Sequence, residues 1–154
     1  MNISSIMTRD VVTVTMDESL RWIQQVFHEH RFHHLIVTDQ GKVVGVISDR
    51  DVLKNVSPFI GKMAERTADL ATLDRKAHQV MSRALIAVSP ATLVRDAAKL
   101  MVEHRVSCLP VLDDDQRPVG IVTWRDLLRW MSDFIAADLP TDVPTLPKRG
   151  KDAA

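Results

Sequence analysis

Only one cysteine, Cys108, occurs among the 154 residues. A single thiol excludes an intrachain disulfide, so no covalent staple holds this fold. A surplus of charge is missing as well: Lys plus Arg and Asp plus Glu number 20 each, and the formal net charge is zero. Binding nucleic acid through its phosphates takes a clustered positive excess, whereas the basic residues here are scattered. No basic run suggests an anionic membrane surface. No apolar stretch approaches the ~18 residues that a spanning helix needs. Met1-Asn2-Ile3-Ser4 lacks a basic region followed by an apolar core, so no secretory signal is expected. The five glycines form neither a P-loop nor a dinucleotide fingerprint, and no nucleophile–base–orienter set is visible. The expectation is a cytoplasmic protein that is not an enzyme and binds neither nucleic acid nor membrane.

What the chain does have is a phrase said twice. Val43-Val44-Gly45-Val46-Ile47-Ser48-Asp49-Arg50-Asp51 is echoed by Pro118-Val119-Gly120-Ile121-Val122-Thr123-Trp124-Arg125-Asp126. Gly45 and Gly120 stand 75 positions apart (120 − 45). Each copy opens as a β-branched strand and then turns polar into a helix. Leu20, Ile23 and Phe27 keep the 3–4 spacing of one apolar helix face, and Val94, Ala97 and Met101 repeat it 74 positions later. Met7-Thr8-Arg9 has its counterpart in Met81-Ser82-Arg83. The single-residue change of offset falls in the turn Asp113–Arg117, where a true repeat tolerates it.

In chain order the first half reads as a turn at Ile3–Met7, a strand at Asp10–Val14 and a helix from Asp17 to about Arg31. A hairpin around Asp39–Lys42 follows, then a helix from Asp49. Ala84–Val88 answers the first strand, and Ser89–Thr92 supplies a helix cap. The fold class is α/β: small sheets with flanking helices, β-α-β-β-α twice, related by a pseudo-two-fold. A chain of this length buries roughly 68–70% of its unfolded surface, and neither half alone covers its apolar sheet face well. The expected divisions are repeat 1 at 1–56, a partly helical connector at 57–77, repeat 2 at 78–135 and a flexible tail at 136–154, which carries Pro140, Pro144 and Pro147.

The strand-to-helix junctions admit two readings. Ser48-x-x-Asp51 and Thr123-x-x-Asp126 match the capping box, in which a hydroxyl and an acid satisfy free N–H groups at a helix start. The same geometry gathers N–H groups, a hydroxyl and a carboxylate at one spot, which suits phosphate or ribose. One junction alone does not choose between these.

Paired strand–helix–strand–strand–helix repeats, each opening with Met-Thr/Ser-Arg and closing with Gly-x-x-Ser/Thr-x-x-Asp, resemble the cystathionine-β-synthase (CBS) domain family. The resemblance covers Ile3–Leu53 and His78–Trp130. It implies a stand-alone Bateman module, a homodimer that binds AMP, ADP or ATP, with S-adenosylmethionine a further candidate, and requires no cofactor. Such a module would change shape to regulate a partner protein. The resemblance implies Ser48 and Asp51 at the ribose of one site, with Leu85 and Ile86 beside its adenine. Thr123 and Asp126 would serve the other, with Val11 and Val12 beside its adenine. Where many members carry a His-Arg pair, this chain has His33-His34 and Ser107-Cys108. The first site region therefore keeps two titratable donors and the second none, which favours a monophosphate over a triphosphate and unequal affinities. Arg31, Arg50, Arg105 and Arg125 are further candidates for anion contact.

Competing readings stand beside these. His30 and His34 are four apart, but the helix is expected to end between them, so solvated helix-end imidazoles are favoured over a metal pair. Cys108 reads as a small buried hydrophobe. Trp124 packs against a neighbouring subunit or stacks beside a ligand. The alternative to a ligand-binding module is a structural dimerisation scaffold whose clefts stay empty.

Overall fold

Short β-branched runs separated by turn residues and two amphipathic stretches set the order of elements. The computed structural model describes residues 1–138. A 3-10 turn at Ile3–Ser5 leads to β1 (Thr13–Thr15), α1 (Leu20–His30), β2 (His34–Asp39), β3 (Lys42–Ser48) and α2 (Asp49–Asn55). The connector holds α3 (Thr67–Ala71), a 3-10 turn at Thr72–Asp74 and α4 (Ala77–Val80). The second half continues with α5 (Val94–His104), β4 (Cys108–Leu112), β5 (Pro118–Thr123) and α6 (Trp124–Asp138). Helix α6 thus runs past the start expected for the tail. The remainder of that tail, from residue 139, lies outside the described residues. Among the described residues no helix is long and apolar enough to cross a membrane.

Strand β1 lies parallel to β2, which pairs antiparallel with β3; β4 and β5 form the matching hairpin. Gln40 and Gly41, at φ 47° and 79°, close the first hairpin, since two positive-φ residues give a turn whose twist matches its strands. Helices α1 and α5 stop alike, at Arg31 and Arg105 in the left-handed conformation with φ 55° and 54°.

The strand expected at Ala84–Val88 is reduced to one parallel bridge, Val88 to Val111. Val88 N–H donates to the Pro110 carbonyl at 3.0 Å and Leu112 N–H to the Val88 carbonyl at 2.9 Å. A parallel ladder would lengthen through N–H groups at positions 110 and 90, and both are proline. Their counterparts 74 residues earlier, Ile36 and Met16, carry the donor, and β1 forms. The cap expected from Ser89–Thr92 also differs. Leu93 is the N-cap and offers no side-chain bond, while the Thr92 hydroxyl accepts from Ser89 N–H at 3.1 Å inside its own turn.

The two cores exchange their leading segments. Ala77 and Met81 pack with Leu20, Ile23, Leu35 and Ile47 of the first repeat. Ile3 packs with Val94, Ala97, Leu109 and Val122 of the second, with Ile6 and Met7 at its edge. Ile36, Val43 and Leu112 form a small shared cluster between them. The exchange is sealed by backbone. Thr8 and Ile121 trade hydrogen bonds of 2.9 Å in each direction, and Ser82 and Val46 do the same at 2.9 and 3.1 Å.

This approach is why both repeats need glycine where they have it. A Cβ on Gly45 would stand 2.7 Å from Met81 Sδ and 2.8 Å from the Ser82 carbonyl; on Gly120 it would stand 2.7 Å from Met7 Sδ and 3.0 Å from the Thr8 carbonyl. A thioether can swing aside, but a strand-bonded carbonyl cannot. Gly45→Ala is therefore expected to destabilise by about 1–3 kcal/mol, as overpacking does. Gly120→Ala, with the looser backbone contact, should fall in the lower part of that range. Urea denaturation of the two variants checks the order.

Candidate functional site

Each helix that follows a hairpin is hung from the strand before that hairpin. Asp49 N–H donates to the His33 carbonyl and Trp124 N–H to the Ser107 carbonyl, both at 3.1 Å. This fixes the starts of α2 and α6 at the seam between repeats. At α2 the capping box is complete. Asp51 Oδ2 accepts from Ser48 N–H at 2.9 Å and from the Ser48 hydroxyl at 2.6 Å, while Ser48 Oγ accepts from Asp51 N–H at 3.2 Å. At α6, Asp126 Oδ2 accepts from Thr123 N–H at 2.8 Å and its hydroxyl at 2.7 Å. Both carboxylates use the same oxygen, Oδ2, for the cap. The Oδ1 of Asp126 lies 3.7 Å from Arg129 Nη1.

Beside an open hollow of about 730 Å³ lined by Phe27, Arg31, His33, Asp49 and Arg125, two cavities along the seam hold the residues expected at the sites. The larger, about 600 Å³, brings Thr123 and Asp126 together with Val11 and Val12. The smaller, about 230 Å³, brings Ser48 and Asp51 together with Leu85 and Ile86. Ser48 and Asp51 also border the larger cavity, so the two share a wall. The histidines fall differently from the assignment implied by the resemblance. His33 lines the larger cavity and not the smaller, and His34 lines both. His33 lies just before β2 and is drawn to Asp49 at the start of α2 by a 2.8 Å contact, whereas His34 opens the strand.

His34 Nε2 meets Ser107 Oγ at 2.9 Å, a direct bond between the two repeats. Burial pushes the His34 pKa below 6.5, and the attraction of Asp49 only partly offsets that. His33 Nδ1 sits 2.8 Å from Asp49 Oδ2. Partial burial pulls the Asp49 carboxyl upward, but the bonds from His33 and from Arg50 N–H outweigh it and hold it below the ordinary value. His30 stacks on Phe32 at 5.2 Å between centroids. Burial pushes the Cys108 thiol up to about 12, which keeps it neutral.

Arg31, Arg50 and Arg125 border the larger cavity and Arg105 the smaller. Sequence reasoning missed Lys54 and Arg129 on the larger wall and Ser107 in the bridge. Lys54 and Arg129 each lie three residues after the helix-start acid, one turn along the same helix, and that spacing was the available signal. Trp124 also borders the larger cavity, 47% exposed, with the Arg125 guanidinium 5.7 Å from its ring centroid.

The CBS domain profile matches residues 3–58 and 77–133. The chain belongs to the CBS domain family. Among relatives of this CBS pair, the uncharacterised protein MJ1426 of Methanocaldococcus jannaschii is 32% identical over 151 residues, covering 83% of this chain and 89% of that protein. MJ1225 of the same organism is 26% identical over 131 residues, and the chain, matched over 84% of its length, spans 47% of that protein. The solved CBS domain pair of protein MJ0100, in complex with 5′-methylthioadenosine and S-adenosyl-L-methionine, superimposes with a TM-score of 0.73 at 26% identity. The match covers 87% of this chain and 98% of that one.

The pKa of His34 carries a consequence for stability. The unfolded chain takes up this proton at a higher pH than the folded one, so stability is complete above about 6.5 and declines as pH falls from there toward the folded value. Denaturant midpoints should drop between pH 7.5 and pH 5.5, and His34→Gln should flatten that drop.

Proposed function

We propose that this CBS pair is a regulatory module that binds an adenosine nucleotide in the larger cleft and conveys its occupancy to a partner protein. The observation that carries the reading is the crossed composition of the cleft: the capping pair Thr123 and Asp126 of one repeat faces Val11 and Val12 from the leading segment of the other. An ionised Asp126 accepts from ribose hydroxyls in charge-assisted bonds, which are stronger than neutral ones. The valines would give the adenine an apolar contact. A volume of about 600 Å³ suits a nucleotide-sized ligand. The adenosyl compounds bound by the MJ0100 pair support the ligand class.

Arg31, Arg50 and Arg125 would hold the phosphate, and His33 would add a titratable donor. Ser48 and Asp51, with Leu85 and Ile86, would form a second cleft of the same plan, and His34 would stand between the two ligands. Because the clefts lie between repeats, a ligand that prefers one arrangement of the halves shifts the population toward it. AMP, ADP and ATP are the ligands proposed here, and S-adenosylmethionine fits the same adenosyl contacts. The role is binding, not catalysis; the one thiol is buried and neutral.

Leu128, Met131, Phe134 and Ile135 on α6 are exposed, and a second copy of the chain would cover them, since exposed apolar patches are common interaction surfaces. That surface also favours the second reading, a dimerisation scaffold with empty clefts. A ligand at 100 times its dissociation constant adds about 2.7 kcal/mol to stability. Thermal denaturation with AMP, ADP, ATP and S-adenosylmethionine should show that rise for at least one of them; no rise with any favours the scaffold. In calorimetry Asp126→Ala should weaken AMP binding at least tenfold, or about 1.4 kcal/mol, while costing only about 1 kcal/mol of fold stability as a lost cap. Normal AMP affinity in that variant would leave Asp126 as a cap alone.

A further inference from the structure

The two clefts differ in what they offer a phosphate. The larger is bordered by five fixed cations, Arg31, Arg50, Lys54, Arg125 and Arg129, against four carboxylates, Asp10, Asp49, Asp51 and Asp126. Asp49 is already bonded to His33, and Asp126 lies near Arg129. Among the described residues Arg31, Arg50, Lys54 and Arg125 have no carboxylate within ion-pair distance, so they are available to an anion.

The smaller cleft has one fixed cation, Arg105, and the carboxylate of Asp51 offsets it. Its other walls are largely apolar: Val46, Leu85, Ile86, Val106 and Pro110, with the neutral Cys108 thiol. Its volume of about 230 Å³, against about 600 Å³, leaves room for less ligand than the larger cleft does. A monophosphate brings roughly −1.5 to −2 charges, and burying them without matching cations is costly. The shared wall tightens the restriction. His34, Ser48, Asp51 and Ser107 border both cavities, and the His34–Ser107 bond crosses the boundary. A phosphate reaching this strip from the smaller side would meet the phosphate of the ligand opposite.

Resting on the proposed adenosyl function, we infer that the clefts divide their ligands by charge: the larger takes the phosphorylated nucleotide and the smaller a phosphate-free adenosyl compound. Each chain then holds one of each and reports on their ratio. The apolar wall and the Ser48–Asp51 pair recognise what the two ligands share, adenine and ribose. The cations decide the rest.

Adenosine and AMP differ only in the phosphate and are the probes to use on the full chain. Calorimetry should show AMP filling one site per chain. Adenosine titrated into the AMP-saturated protein should then give a second event, again one per chain. Ala84→Trp, which fills the smaller cleft at an exposed position bordering only that cavity, should weaken the adenosine event about tenfold or more and leave AMP binding intact. Asp126→Ala should do the reverse. AMP filling two sites per chain with similar affinity overturns the division, as does simple displacement of AMP by adenosine, and either result still leaves the adenosyl reading standing. Absence of heat with both probes removes that reading and this inference together. The competition needs no variant, so it decides the matter even if Ala84→Trp fails to fold.

Discussion

Two backbone contacts across the seam hold this molecule in its arrangement. The leading segment of each repeat lies against the return strand of the other, Thr8 on Ile121 and Ser82 on Val46, and glycine at 45 and 120 lets the chains approach that closely. With a side chain at either position the strand would be held off, and the leading segment would lose its bonds. The exchange buries Ile3 in one core and Ala77 and Met81 in the other. Each half is thus completed by residues that belong to its twin, and the clefts between them have walls from both.

The same junctions tie stability to recognition. Asp51 and Asp126 satisfy the first N–H groups at the hairpin exits through one carboxylate oxygen, and both residues border the clefts. A capping carboxylate near a helix start is favoured by the partial positive charge there. The acid proposed to grip a sugar is held in place by its cap bonds before any ligand arrives, so little ordering is left for binding to supply. Helix position, cap and proposed ribose contact are one arrangement seen from three sides.

The pseudo-symmetry is broken where the chemistry of the two repeats parts. Prolines at 90 and 110 remove the N–H donors that would extend the ladder beside β4, and the segment before them forms a bridge where its twin forms a strand. That segment, Leu85 and Ile86 included, walls the smaller cleft. The histidine pair in repeat 1 and the serine–cysteine pair in repeat 2 supply the other departure. They meet in the His34–Ser107 bond, where burial lowers the His34 pKa.

Much of this was legible in the residues. The echo of Gly45–Asp51 in Gly120–Asp126, the matched helix faces and the single-residue change at the second turn establish a duplicated α/β unit, because burial patterns are local and a repeat displays them twice. The caps of α2 and α6 were legible for the same reason, since a hydroxyl three residues before an acid acts within one turn. The missing strand was readable in principle from Pro90 and Pro110, but only once its partner strand and register were known. What tertiary structure alone decided is which repeat faces which. Placing His33 on the cleft with Asp126, giving the two cavities unequal volumes and joining His34 to Ser107 all depend on contacts between residues far apart in the chain, 73 positions for His34–Ser107 and 113 (121 − 8) for Thr8–Ile121. Such contacts are set by how two cores exchange their ends, and no local pattern along the chain encodes that.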